Sequence, residues 1–325
     1  MASSPLLALP DTAATLDRVE RALRTAVLTD DDLLTEMASH LIVAGGKRLR
    51  PLVCAVSAAA GGAEVTDDVI MGGVSVELVH LGSLYHDDVI DEAETRRTVP
   101  SVNARWGNLK AVLAGDFLLA RASEIAASLG TEVAGLLAHT IARLCEGEVG
   151  QLRTLYSASR SIDQYFGAID GKTASLFSAA ARIGGIVAGL DRSVIEDVTR
   201  YGSAFGITFQ LVDDILDLTA TEAELGKPVG HDLVEGVYTL PVINTLADGG
   251  TAAAELGDLL GAPLEPVELE KALAIVRSGA GVTAAAATAR EWADKAAATL
   301  GRLPDSPTRT AMMEAPHALI DALRI

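Results

Sequence analysis

"VSVELVHLGSLYHDDVIDEAETRR", residues 74–97, decides how the chain is read. Val74, Leu78, Leu81 and Tyr85 recur at i, i+4, i+7 and i+11, which is one buried helical stripe. Asp87, Asp88 and Asp91 follow at once, with Arg96 and Arg97 behind them. Asp87 and Asp91 share a helix face and Asp88 lies about 100° round it. They fall near the C-terminal end of the helix, where the dipole disfavours carboxylates, and like charges at this spacing repel unless a cation sits between them. "TDDVIM", residues 66–71, is the internal control. Thr66 suits an N-cap, and Asp67 and Asp68 fall in a first turn that favours negative charge, so that pair reads as structural. One helix is expected from there through about Asp91.

"FQLVDDILDL", residues 209–218, repeats the pattern with Asp213, Asp214 and Asp217. With 24 aspartates in 325 residues, chance gives about 0.1 DDxxD matches, so two are a signal. A solvated acidic face is the plain reading of either alone; apolar flanks at both argue against it. Carboxylates of this kind suit Mg²⁺, which keeps several waters and bridges to substrate phosphates. Two such faces meeting across a helical bundle would hold Mg²⁺ against a diphosphate. Cations stand beside the motifs: Lys47, Arg48 and Arg50 in "GGKRLRP" (45–51), Arg96 and Arg97, and Lys227 in the loop after the second motif. Lys172 and Thr173 read as opening a helix after Gly171, where free N–H groups favour phosphate. Singly, each is more often a surface charge.

Apolar residues make up 49% of the chain and aromatics 4%, which points to close-packed helices rich in small side chains. A net charge of −18 argues against a nucleic-acid binder, which would carry a basic face. Cys54 and Cys145 lack CxxC spacing, and a reducing cytoplasmic compartment is the default expectation. The N-terminus has no basic region of a secretory signal, and no run of about 18 uncharged apolar residues predicts a membrane span. "LLTEMASHLIVAGG" reads as a helix stopped by Gly45-Gly46, and Pro51 as the start of the next. Further helices are expected at about 109–129, 131–156, 161–170, 172–189, 191–204, 205–220, 239–249, 266–278, 281–300 and 307–324. The expectation is all-α: residues 1–325 as a single antiparallel helical bundle.

"GGKRLRP", "ELVHLGSLYHDDVIDEAETRR", "PSVNARWGN", "AVLAGDFLLARA", "GKTASLF", "FGITFQLVDDILD" and "GKPVGHDLVEG" occur in the order and spacing of one family. From about residue 40 to 245 the chain resembles a trans-isoprenyl diphosphate synthase of the polyprenyl synthetase group. The resemblance implies a helical bundle around a deep cavity (the isoprenoid synthase fold), usually a homodimer. It also implies a reaction. An allylic diphosphate ionises, isopentenyl diphosphate attacks the allylic cation, and a proton is lost to the departing diphosphate.

By that pattern Asp87 and Asp91 ligate Mg²⁺ with Asp88 in support, Asp213 holds a further ion aided by Asp217 within "DDILD", and three ions bind with diphosphate. Asp87, Asp88, Asp91, Asp213, Asp214, Lys172 and Gln210 make up the catalytic set. Arg96, Lys172, Gln210 and Lys227 match allylic diphosphate positions, and Thr173 and Gln210 match groups that steady the cation. Lys47, Arg50, His80 and Arg97 match the isopentenyl diphosphate site; His80 alone would read as a satisfied core histidine. Two departures stand out: Val237 where the family often has Lys, and Thr98 where Gly usually follows the two arginines.

Gly82 and Ser83, about one turn before Asp87, are expected to face the channel of the growing chain. Both are small, so a long product of roughly C30–C50 is expected by analogy, with geranylgeranyl or farnesyl diphosphate as the shorter alternative. A long apolar product would suit a peripheral membrane contact for its release. A terpene cyclase would need no second-substrate site, and a non-catalytic partner subunit would lose aspartates that this chain keeps.

Overall fold

The computed structural model describes residues 4–222 and 229–323, so Lys227 lies outside the described residues. After a 3₁₀ turn at Pro5–Ala8 come α1 (Thr12–Ala26), α2 (Asp32–Val43), α3 (Leu49–Ala60) and α4 (Asp67–Ile90). A two-stranded hairpin, β1 (Thr95–Arg96) and β2 (Val99–Pro100), pairs Thr95 with Pro100 and Arg96 with Val99. Then follow α5 (Val102–Trp106), α6 (Asn108–Ser128), α7 (Thr131–Leu152), α8 (Ile162–Ile169), α9 (Ser175–Val187) and α10 (Arg192–Thr219). The C-terminal part holds α11 (His231–Val234), α12 (Leu240–Asp248), α13 (Gly250–Leu259), α14 (Pro266–Ser278), α15 (Gly281–Thr299) and α16 (Pro307–Asp321).

The aspartate helix forms as its sequence dictates. Thr66 Oγ1 accepts from the Val69 N–H at 3.3 Å, and Asp67 and Asp68 occupy the first turn. Buried residues lie on all sides of α4, from Val69 to Asp88, so it is an internal helix. The chain leaves α2 through Gly45 at φ +90°, a left-handed value that suits glycine. α3 starts at Leu49, two residues before Pro51, which lies in the first turn where its missing N–H costs nothing.

Two expectations need correction. Segments 191–204 and 205–220 are one continuous helix, α10. Its two internal glycines serve packing: a Cβ at Gly202 would lie 2.5 Å from the Phe177 carbonyl oxygen, and one at Gly206 2.6 Å from Ala174 Cα. The other concerns 172–189. A π-helical turn at Asp170–Ala174 joins α8 to α9 without a break, so Lys172 and Thr173 sit inside a helix. No free helix N-terminus exists at Gly171, and a phosphate there would have to be met by side chains. The hairpin, α1, α5, α11 and α13 have no counterpart among the elements expected from periodicity.

α9 is the hub. It packs against α3, α4, α7 and α10. Small residues let backbones touch along this seam, and a Cβ at Gly184 would overlap the Cys54 carbonyl oxygen of α3. One hydrophobic cluster gathers α1–α4, α6, α9 and the first half of α10; a second gathers α8, the rest of α10 and α12–α15. Both aspartate motifs thus stand near the C-terminal ends of long helices braced by α9.

Gly184→Ala is expected to destabilise the protein by about 1–3 kcal/mol or more, because backbone cannot yield to the new methyl. Gly135→Ala, on an exposed part of α7 with no atom within 4 Å of the added Cβ, should stabilise it by about 0.5–1 kcal/mol. Urea unfolding of the two variants checks both signs.

Candidate active site

Four expected residues come together first. Lys47, Arg50, His80 and Arg97 line one cavity of about 360 Å³, with Phe209 and Glu77. The α2–α3 loop supplies Lys47, α3 supplies Arg50, α4 supplies His80, and the hairpin supplies Arg97. Arg97 is tied down: its Nη1 donates to the carbonyls of Leu41, at 3.0 Å, and of Gly45. Arg97 and Thr98 adopt φ of +52° and +65°. Thr98 therefore holds the left-handed backbone that glycine would adopt without strain, at a cost of about 1 kcal/mol or more. The Arg50 guanidinium lies 4.7 Å over the Phe177 ring, and its buried Nε has no partner. Burial lowers the Arg50 pKa to about 10, which leaves it cationic at neutral pH.

Arg48 has another task. It is buried and pairs with Glu20 of α1 at 2.6 Å and Glu77 of α4 at 3.1 Å, and it donates to the Ile42 carbonyl at 3.0 Å. It fixes the loop that presents Lys47 and Arg50. Burial, then the guanidinium charges of Arg50, Arg97, Arg48 and Arg96, push the His80 pKa well below the usual imidazole value, so His80 is neutral at neutral pH.

A second cleft joins the two motifs. Asp91 from the end of α4 and Gln210 and Asp214 from α10 line one cavity of about 130 Å³, together with Lys172 and Thr173. Thr173 Oγ1 donates to Gln210 Oε1 at 2.7 Å, and Gln210 Nε2 donates to Asp214 Oδ1 at 2.7 Å. Lys172 Nζ lies 2.6 Å from Glu148 Oε2 on α7. Burial would lower the Lys172 pKa, but the carboxylates of Asp87, Glu148 and Asp91 outweigh it and the net shift is upward. The same crowding raises the carboxyl pKa values: burial first, with Glu148 and Asp91 adding to it, brings Asp87 to about 6, and burial brings Asp214 to about 7.

Asp88 is buried and turned from the cleft toward the hairpin, where Arg96 Nε and Nη2 both approach its Oδ1 at 2.6 Å. Asp213 is exposed and lines a separate, mainly apolar cavity with Lys47, Phe209 and Leu216; its charge partly offsets the burial that lowers the Lys47 pKa. Asp217 is buried and accepts from the Asp232 N–H at 3.2 Å, while its carbonyl accepts from Gly230 N–H at 2.8 Å. It anchors the chain around the start of α11.

The polyprenyl synthetase family profile matches residues 31–276. The chain belongs to the polyprenyl synthetase family. It is 40% identical over 305 residues to nonaprenyl diphosphate synthase of Mycobacterium tuberculosis, across 94% of this chain and 90% of that one. The structure of a Caulobacter crescentus polyprenyl synthase complexed with calcium and isoprenyl diphosphate superposes with a TM-score of 0.92 at 33% identity, over 98% of both chains. A decaprenyl diphosphate synthase from Rhodobacter capsulatus gives 0.89 at 34% identity, over 96% of this chain and 97% of that one. The fold is thus the all-α isoprenoid synthase fold, and the chain is a prenyltransferase of a Mg²⁺-dependent family.

For this polyprenyl synthetase the acidic cleft fits the ion. Among the described residues no three carboxylate, imidazole or thiol groups converge as a ready chelate. Asp87 and Asp91 offer an incomplete oxygen set, which suits an ion that retains waters and completes its shell with phosphate oxygens. Sequence reasoning missed Glu148, Gln151, Arg160 and Tyr165. Gln151, Arg160 and Tyr165 line the acidic cleft, and Glu148 pairs with Lys172. The "EGEVGQ" spacing puts Glu148 and Gln151 on one helix face, a usable signal; Tyr165 gave none. Val237 lines the same cleft, so an apolar side chain stands where the family often has a lysine.

At the expected channel positions Gly82 is buried and Ser83 half-buried. A Cβ at Gly82 would lie 3.1 Å from the Gly115 carbonyl oxygen and 3.2 Å from Leu119 Cδ2, so its bare face is packed against α6 rather than open to a growing chain. Ser83 Oγ turns back to the His80 carbonyl at 2.9 Å.

His80 makes a pH test possible. Its folded pKa lies below the unfolded value of about 6.5, so its stabilising contribution is present above that value and is lost as pH falls through the folded pKa. Between about pH 7 and pH 5, His80→Gln should lose less thermal stability than the wild type. Paired melting curves check this; equal losses would place His80 outside the arginine field.

Proposed function

We propose that the protein condenses isopentenyl diphosphate with an allylic diphosphate, head to tail (1'-4) and trans, to give a long-chain polyprenyl diphosphate. The observation that carries this is the adjacency of two anion sites of different build. One is a cationic pocket lined by five basic or imidazole groups, Lys47, Arg48, Arg50, His80 and Arg97, against a single carboxylate, Glu77. The other is a carboxylate cleft to which both DDxxD helices contribute. A diphosphate that must leave needs metal and ammonium groups; a diphosphate that must stay needs only fixed cations.

In this reading Lys47, Arg50, His80 and Arg97 hold isopentenyl diphosphate. Lys172, Gln210, Arg96 and Lys227 serve the allylic diphosphate, Lys172 exchanging its contact with Glu148 for one with phosphate. Asp87 and Asp91 on one wall and Asp213, with Asp217 behind it, on the other hold Mg²⁺, three ions when diphosphate is bound. Bound Mg²⁺ supplies the charge that stabilises the leaving diphosphate. Arg96 partly offsets the burial that raises the Asp88 pKa and keeps its carboxyl oriented. Thr173 and Gln210 steady the allylic cation, apolar walls exclude water, and the departing diphosphate takes the proton.

The relatives support a long product: curated homologues at 34–40% identity make chains of C35–C45. Gly82 and Ser83 do not carry that reading. A terpene cyclase would have no use for the cationic pocket, and a non-catalytic subunit no use for six retained aspartates. Residues 1–325 act as one unit, and Leu109 and Leu113 of α6, 76% and 56% exposed, suit a homodimer face. No single helix among the described residues is long and apolar enough to cross a membrane; a peripheral contact would serve product release.

Purified protein incubated with Mg²⁺, labelled isopentenyl diphosphate and farnesyl or geranylgeranyl diphosphate should give C35–C45 products, and none once the metal is chelated. Asp87→Ala should lower kcat by about 10²–10³-fold. Cyclic hydrocarbons formed without isopentenyl diphosphate would contradict the assignment.

A further inference from the structure

Tyr165 belongs to neither aspartate motif, yet it ends a hydrogen-bond chain that reaches the reacting centre. Its hydroxyl donates to Asp214 Oδ2 at 2.5 Å. Gln210 Nε2 donates to the other carboxylate oxygen at 2.7 Å, and Thr173 Oγ1 donates to Gln210 Oε1 at 2.7 Å. All four side chains line the acidic cleft. The ring is held in place: the Arg160 guanidinium sits 5.5 Å from its centroid and donates from Nη1 to the Tyr238 carbonyl at 3.0 Å, and Phe166 packs edge-on at 5.4 Å.

Direction is what this chain controls. A buried phenol has one hydrogen, and Tyr165 spends it on Asp214. Held by Tyr165 at Oδ2, the ionised Asp214 carboxylate presents Oδ1 to Gln210 and only accepts there, so Gln210 turns its amide nitrogen toward it. The amide oxygen is then left facing Thr173, and that oxygen only accepts, so Thr173 must spend its single hydrogen on it. A hydroxyl in this state offers the cleft only lone pairs. Were Gln210 flipped, Thr173 would accept from the amide and aim its hydrogen into the cleft, toward developing positive charge.

We infer that Tyr165 is a positioning residue: through Asp214 and Gln210 it fixes the hydrogen-bond direction that makes Thr173 a pure acceptor toward the allylic cation. The inference rests on the proposed prenyl transfer and concerns the chemical step, not substrate binding. Acceptors set before the reaction stabilise charge that develops only in the transition state, so their loss shows in kcat.

The test is steady-state kinetics on the full-length protein with Tyr165→Phe, Thr173→Val, the double variant and Thr173→Ser. Tyr165→Phe is expected to lower kcat about 10- to 100-fold, with KM for both diphosphates and the Mg²⁺ requirement unchanged. Thr173→Val should lose a similar factor, Thr173→Ser should retain most activity, and the double variant should be no slower than Thr173→Val. Losses that multiply in the double variant, or a change confined to KM, would overturn the inference. If melting curves show that Tyr165→Phe does not fold, Asp214→Asn replaces it. With Tyr165 still donating to the new amide oxygen, the amide nitrogen faces Gln210 and turns it over, and the loss must likewise vanish in a Thr173→Val background. A wild type that makes no prenyl product would bring down the functional reading with it. An active wild type with a fully active Tyr165→Phe would overturn this inference alone.

Discussion

The contact on which the rest depends is backbone against backbone along α9. Gly184 lets α9 touch α3 at Cys54, and Gly206 lets α10 touch the π turn at Ala174. Close approach of this kind leaves no room for adjustable side chains, so the spacing of the helices is set by main-chain geometry. α4 and α10 are braced by the same helix and bring Asp91 and Asp214 to one cleft. A protein with 4% aromatic residues and many small ones can build such a seam; one with bulkier contacts would hold its carboxylate walls further apart and less firmly.

Charge is then arranged in layers around that fixed gap. The raised pKa values of Asp87 and Asp214, about 6 and about 7, express burial first and the crowding of like charge second. Lys172 relieves part of it from inside. The cationic pocket shows the mirror situation, with Arg50 lowered to about 10 and His80 held neutral. Each site alone is electrostatically unfavourable, and each is relieved by what it would bind: divalent cations on one side, a diphosphate on the other.

Much of this was legible in the sequence because it follows local rules. The stripe through Tyr85, the Thr66 cap and the position of both DDxxD motifs within helices followed from spacing alone. The four ligands expected at the isopentenyl diphosphate site line one cavity, although they come from a loop, two helices and a hairpin; there the family resemblance supplied what periodicity could not. What escaped depends on tertiary contact. Gly82 looks like a space-maker for substrate until α6 is seen against it. The boundary expected between residues 204 and 205 disappears once α10 is seen running through it, with Gly206 packed on the π turn. Arg48 reads as one more loop cation but is buried between two glutamates. Tyr165 is silent in the sequence because its partner lies 49 residues away.

The central claim is that two acidic helix faces share one cleft able to clamp metal ions on a pyrophosphate group. Anomalous diffraction from crystals soaked with Mn²⁺ and inorganic pyrophosphate tests it directly. The account predicts metal peaks on both sides of the pyrophosphate, within coordination distance of Asp87 and Asp91 on one wall and of Asp213 on the other. Metal bound to one wall only, or pyrophosphate held away from both, would contradict it.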